Sequence, residues 1–242
     1  MKKFSFAIAL LISLGAGCCC TRGNKQQAKS LFNGRDLAGW VTMYGGEWTV
    51  EDGVLVGRNG KDWSTNPEKS GSWLRTERQF GDFILELDYA INDRGNSGIF
   101  IRSALEKNPA FTGHEMQIIA DYGRPPTKGS AGSLYDVIAA TKNMSKPAGE
   151  WNHVRIVTRG RHIEIFWNGE KTIDYETDRL TTGYIGLQNH DAKSIVRFRN
   201  IRITEFQLGI ADAQGMPNSK SPMDGNGSWR LDSARIATPM QP

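Results

Sequence analysis

The sequence predicts an all-β protein built as two packed antiparallel sheets, and three observations carry that prediction. From residue 30 to about residue 206, short runs rich in Val, Ile, Phe, Tyr and Trp alternate with Gly, Asn and Asp, the pattern of strands joined by turns. Glycine is abundant, 27 of 242 residues, above the usual share of about 7%, and turns need it where helices do not. No stretch holds a helical period, so the strands have to cover their apolar faces against one another. A hydrophobic fraction of 38%, with 10% aromatic residues, is enough for that core.

The elements follow in chain order. Residues 1–17, MKKFSFAIALLISLGAG, place Lys2 and Lys3 before an apolar run from Phe4 to Leu14 and then small residues. This is the layout of a secretory signal peptide, too short for a permanent span. Cys18 follows in a setting that resembles the lipobox of bacterial lipoproteins, which makes Cys18 the expected lipidation site, with Cys19 beside it as an alternative. Simple secretion with cleavage nearby is the plainer reading. The only cysteines are Cys18, Cys19 and Cys20, so the fold beyond them has neither an internal disulfide nor a thiolate metal site. Residues 21–29, TRGNKQQAK, are polar and unpatterned, so residues 18–29 read as a lipid-anchored spacer that would hold a domain off a membrane. The expected address is therefore an exported lipoprotein of the periplasm or cell envelope, in contact with the membrane only through its lipid anchor. The net charge is +4, and removing residues 1–17 takes away two lysines and no acids. A balance that small argues against a nucleic-acid partner.

The clearest strands are EWTVEDGVLVG, DFILELDYAI, SGIFIR, EMQIIAD, WNHVRIVTR, HIEIFWNG and VRFRNIRITEF. HIEIFWNGEKTIDYE holds an Asn-Gly turn between two runs, the strongest hairpin signal in the chain, and EWTVEDGVLVG holds an Asp-Gly turn. Residues 207–242 lose the alternation and read as a polar, loosely ordered tail.

Side chains two apart on a strand share a face, so parity decides which polar groups can meet. In NSGIFIR, Asn96 and Arg102 share a face with Gly98 and Phe100, while Ser97, Ile99 and Ile101 point to the core. In HEMQIIAD, Glu115, Gln117 and Asp121 share one parity, and His114, Met116, Ile118 and Ala120 the other. Glu115 and Gln117 would sit about 6 to 7 Å apart and can serve one ligand. Glu115 and Asp121 would be about 20 Å apart on a straight strand, too far for an acid and base pair. On parity alone the plainer expectation for this face is a solvated surface.

The four histidines, His114, His153, His162 and His190, show no i, i+4 pair of the kind that binds zinc on a helix. His153 and His162 read as packing or surface residues. His190 follows Gln188 at a strand end, where loops carry function. Trp40, Tyr44, Trp63, Trp73 and Tyr135 are candidates for stacking on sugar rings, although core packing is the commoner role for any one of them.

Taken in order, LFNGRDLAGW, EWTVEDGVLVG, GDFILELDY, NSGIFIR, GHEMQIIAD, GSLYD, GEWNHVRI, WNGEKTIDY, GYIGLQNH and VRFRNIRI resemble the 3-keto-disaccharide hydrolase domain family over about residues 30–206. The resemblance implies a concanavalin-like jelly roll. It also implies cleavage of glycosides whose glucose-like ring carries a ketone at C3. Such a ketone acidifies the proton on C2, so a modest base can remove it and the enolate can expel the substituent at C1. That route needs a base, a group to polarise the ketone and a donor for the leaving oxygen, not two carboxylates flanking the anomeric carbon.

By the same resemblance Glu115 is expected as base or metal ligand, and Arg102 as the cation that polarises the ketone. Gln117 and Asn96 are expected to hold hydroxyls. His190 or Tyr135 would pass a proton to the leaving group, and Ser97, Gln188 and Asp121 complete the substrate-binding set. The cofactor stays open: Glu115, Asp121 or His190 could ligate a divalent cation such as calcium (Ca). The competing functions are a carbohydrate-binding module on the same sandwich and a structural envelope lipoprotein.

Overall fold

Asp52 and Gly53, and again Asn168 and Gly169, take positive φ (49° and 78°; 50° and 90°), the pair of left-handed residues that a type I′ turn requires. Each pair closes a tight hairpin, as both dipeptides predict. The computed structural model describes residues 27–61 and 71–206. Along these residues the strands are β1 (Lys29–Ser30), β2 (Trp40–Met43), β3 (Glu47–Glu51), β4 (Val54–Arg58), β5 (Ser72–Thr76), β6 (Phe83–Ile91) and β7 (Asn96–Ser103). They continue, after the one-turn helix α1 (Pro109–Thr112), with β8 (His114–Ile119), β9 (Asn152–Arg159), β10 (His162–Trp167), β11 (Glu170–Glu176), β12 (Tyr184–Asn189) and β13 (Val196–Glu205).

Two antiparallel sheets result, as the sequence predicts. One runs β11-β10-β9-β6-β13-β4-β3, with β1 also on β13, and the other runs β2-β5-β12-β7-β8. Every second residue faces the space between them. Leu85, Leu87, Val154, Ile156 and Phe198 from the larger sheet meet Leu74, Ile99, Ile101, Met116, Ile118 and Leu187 from the smaller, all fully buried. Each such side chain contributes roughly 1.5 to 3 kcal/mol through burial. His114 shares this inward parity and is buried, its Nε2 2.6 Å from Thr177 Oγ1. Trp40 is also buried, and its Nε1 donates to Leu31 O at 2.8 Å. His153 and His162 face outward against Asp88 and Asp174. Folding begins one residue earlier than expected, because Lys29 pairs with Ile203. Cys18, Trp63 and the 207–242 segment lie outside the described residues.

The outward face of the smaller sheet is not the solvated surface that parity alone suggests. Trp73 and Phe100 are buried there, with Ala110 of α1 and the partly buried Tyr44, Leu105, Tyr135 and Tyr184 packed around them. Two loops cover this face. One is the 104–113 segment that carries α1. The other pairs its backbone with the free edge of β8, where Gln117 N donates to Ser133 O, Gly132 N to Gln117 O and Tyr135 N to Glu115 O. Pairing of that edge removes a row of open hydrogen-bonding groups and builds walls above β7 and β8.

Candidate functional site

The site follows from register. Gly98 pairs with Gln117 and Phe100 with Glu115, while Gly186 pairs with Phe100 and Leu187 with Ile99. The same register sets Gln188 beside Gly98, so the outward face carries a row Gln188, Gly98, Gln117 next to a row Gly186, Phe100, Glu115. Gly98 has no side chain, and the Glu115 carboxyl fills the notch. A Cβ added to Gly98 would overlap Glu115 Oε1 and stand 2.7 Å from its Cγ and Cδ.

Around this notch lies a hollow of about 160 Å³ lined by Asn96, Glu115, Gln117, Tyr135, Gln188 and His190, together with Asn108, Ala110 and Phe111. Six of the residues singled out in the sequence thus meet in one place. Asn96 Oδ1, Glu115 Oε1, Gln117 Oε1 and Gln188 Oε1 are buried there without a hydrogen-bond partner. Each buried polar group left unpaired costs about 1 to 3 kcal/mol, so the floor is suited to a polar guest. Glu115 is 4% exposed, and burial pushes its carboxyl up to about 8. It therefore holds its proton at neutral pH.

His190 stands at the end of β12, its Nδ1 3.0 Å from Asp191 Oδ2. Asp191 is itself held: its Oδ1 accepts from Lys193 N at 2.8 Å and from Ser194 N and Oγ at 3.0 Å. Burial pulls the Asp191 carboxyl upward, but hydrogen bonds from His190, Lys193 and Ser194 outweigh it and leave the group below its ordinary range. The carboxylate can only accept, so it holds a proton on His190 Nδ1 and fixes the ring, leaving Nε2 outside this bond. Asn96 N donates to Ser194 Oγ at 2.8 Å, which ties this turn to β7.

Three expected site residues lie elsewhere. Arg102 is fully buried away from the hollow, with φ of 53°. The β7–β12 register shifts between Tyr184 and Gly186, and this bulge breaks the alternation that would have set Arg102 beside Asn96. Its Nε donates to Gly81 O at 3.0 Å, Nη1 to Gly160 O at 2.7 Å and Nη2 to Asp82 Oδ1 at 2.9 Å. Arg102 is thus a structural clamp and not a ketone polariser. Arg102→Met should lower unfolding free energy by about 3 kcal/mol in urea titration, while the folded fraction keeps its activity.

Ser97 faces the core side, where its Oγ donates to Gln188 O at 2.7 Å, so it joins β7 to β12 without reaching the hollow. Asp121 lies past the end of β8. Its Oδ2 accepts from Ala131 N at 2.9 Å and its Oδ1 from Asn143 Nδ2 at 3.2 Å, which anchors the loop leading to Tyr135. Of the ligands weighed for a cation, Glu115 and His190 share the hollow and Asp121 does not. Elsewhere among the described residues, His162, Glu164 and Asp174 come within reach of one ion, but Lys171 Nζ already lies 3.2 Å from Glu164 and 2.6 Å from Asp174.

Sequence reasoning missed Gly98, Asn108 and Phe111. Asn108 caps α1 by accepting from Ala110 N at 3.0 Å. The Asn-Pro pair at 108–109 is a helix-start signal that could have marked this turn. Phe111 is half exposed, its ring centroid 6.2 Å from that of Tyr135 at 51°.

Comparisons with known proteins bear on this site. A family model described as 3-keto-alpha-glucoside-1,2-lyase-like domain matches residues 27–204. A Bacteroides thetaiotaomicron protein named 3-keto-disaccharide hydrolase is 26% identical over 226 aligned residues, covering 72% of this chain and 77% of the relative. Among solved structures, a Parabacteroides distasonis protein described as a candidate glycosyl hydrolase has a TM-score of 0.62 and 26% identity, covering 74% of this chain and 94% of its own. A carbohydrate-binding module of Bacillus subtilis has a TM-score of 0.51 at 20% identity, covering 69% of this chain and 96% of its own, a likeness of fold.

Proposed function

Since this chain belongs to the 3-keto-alpha-glucoside-1,2-lyase-like domain family, we propose that its hollow cleaves the glycosidic bond of sugars already oxidised to a ketone at C3. The observation that carries this reading is the pairing of two titratable groups in one cavity. Glu115, buried in the Gly98 notch, holds a proton at neutral pH, and His190 is oriented by Asp191 through Nδ1. A protonated carboxyl and an imidazole nitrogen outside its orienting bond, both lining one cavity, suit acid–base chemistry.

In this reading His190 Nε2 takes the proton from C2, whose acidity comes from the neighbouring ketone. The electron pair forms the C1–C2 double bond as the C1–O bond breaks, and Glu115 delivers its proton to the departing oxygen. With Arg102 committed to the fold, the amides of Asn96, Gln117 and Gln188 hold the ketone and hydroxyl oxygens. Stabilising developing charge on the ketone oxygen is then the work of neutral donors. Addition of water across the C1–C2 double bond, with its proton returning to C2 and its hydroxyl to C1, gives net hydrolysis. The relative named 3-keto-disaccharide hydrolase supports the oxidised-sugar substrate.

The test is incubation of the purified chain with a 3-keto glucoside and with its unoxidised parent. Release of the aglycone from the oxidised sugar alone is the expected result. Binding of both sugars without cleavage of either would replace the enzyme by a carbohydrate-binding module.

A further inference from the structure

We infer that the wall built by α1 is the leaving-group subsite and that the departing pyranose ring lies against Phe111, an inference that rests on the reaction proposed above. The hollow is asymmetric about its floor. His190 and Asn96 stand toward one end, where the 190–194 turn is tied to β7. Glu115 stands toward the other, its backbone bonded to Tyr135 N at 2.9 Å. A residue that protonates the leaving oxygen fixes the direction in which the leaving group departs. That direction is toward Tyr135 and α1.

Phe111 is on this side and half exposed, whereas its neighbour Ala110 is buried. Exposure of a ring that size gives the fold little, but the ring lines the cavity beside Tyr135. The C–H face of a pyranose is apolar while its edge is polar, so it suits a platform of one aromatic face with amides nearby. Asn108, at the start of the same turn, supplies such an amide.

A single helical turn is unstable by itself, and this one is fixed by other elements. Arg179 Nη1 donates to Ala110 O at 3.0 Å and to Gly113 O at 2.7 Å. Ser103 Oγ donates to Pro109 O at 2.8 Å, and Ala104 N to Thr112 Oγ1 at 3.1 Å. Phe111 is therefore a preset surface, which limits the ordering cost of binding.

The experiment compares a 3-keto disaccharide with methyl 3-keto-glucoside, whose leaving group is too small to reach Phe111. Phe111→Ala should lower kcat/KM for the disaccharide roughly tenfold or more, with less than about a twofold change for the methyl glycoside. Phe111→Tyr should retain most of the disaccharide activity. Equal losses on both substrates, or no loss on either, would overturn the subsite while leaving the reaction standing. Inactivity of the unaltered chain on both oxidised sugars would overturn the reaction, and the subsite with it.

Discussion

Gly98→Ala should lower turnover of a 3-keto glucoside by about 100-fold or more while the chain stays folded. The added methyl would occupy the place of the Glu115 carboxyl. Gly98 does not have the positive φ that would strain an L residue, and the three nearest atoms, Cγ, Cδ and Oε1, all belong to the Glu115 side chain. The fold therefore has an easy response: Glu115 swings out of the notch. That response removes the acid from the leaving oxygen, and a displacement of about 1 Å at a reacting centre is enough for such a loss. The check pairs kcat with a thermal melt. Full activity in a folded Gly98→Ala protein would show that Glu115 does not need its seat.

Glu115→Gln should reduce kcat by roughly 10² to 10⁴, and pH separates the roles Glu115 could hold. If Glu115 is the acid, activity of the parent falls as pH rises past about 8, and the residual activity of the variant lacks that fall. A base at the same position would give a rise instead. Stability supplies an independent reading. The folded carboxyl, at about 8, lies above the ordinary glutamate value of about 4.5, so between these limits the folded state binds more protons than the unfolded one. Its contribution is complete below about 4.5 and is lost as pH rises through about 8. Glutamine has no proton to lose, so the variant should be more stable than the parent at pH 9, by an amount on the order of 3 to 5 kcal/mol. Urea titrations at pH 5 and pH 9 measure this. A parent equally stable at both would mean that Glu115 titrates as an ordinary surface acid.

Much of the fold was legible because hairpins and alternation are local. Asn168 and Gly169 need no distant partner to declare a turn, and the core-facing set of Ile99, Ile101, Met116 and Ile118 follows from period two. The same parity brought Asn96, Glu115 and Gln117 to one face. It failed at Arg102, because one bulge at the end of β7 reverses the direction of every side chain beyond it, and nothing in NSGIFIR announces where pairing slips. It failed at Asp121 because β8 stops at Ile119. Parity also treats a glycine as a blank, whereas Gly98 is the position on which the Glu115 carboxyl rests. Phe111 was missed for another reason: a four-residue turn in a loop has no period to detect.

The strands β7 and β8 separate two jobs by odd and even position. Residues 97, 99, 101, 116 and 118 belong to the interior, and residues 96, 98, 115 and 117 to the cavity. Diversity introduced at positions 96 and 117 would therefore leave the core between the sheets untouched and keep Gly98, Phe100 and Glu115 in place. A mutant library confined to those two positions could be screened on differently linked oxidised sugars with most of its members still correctly assembled.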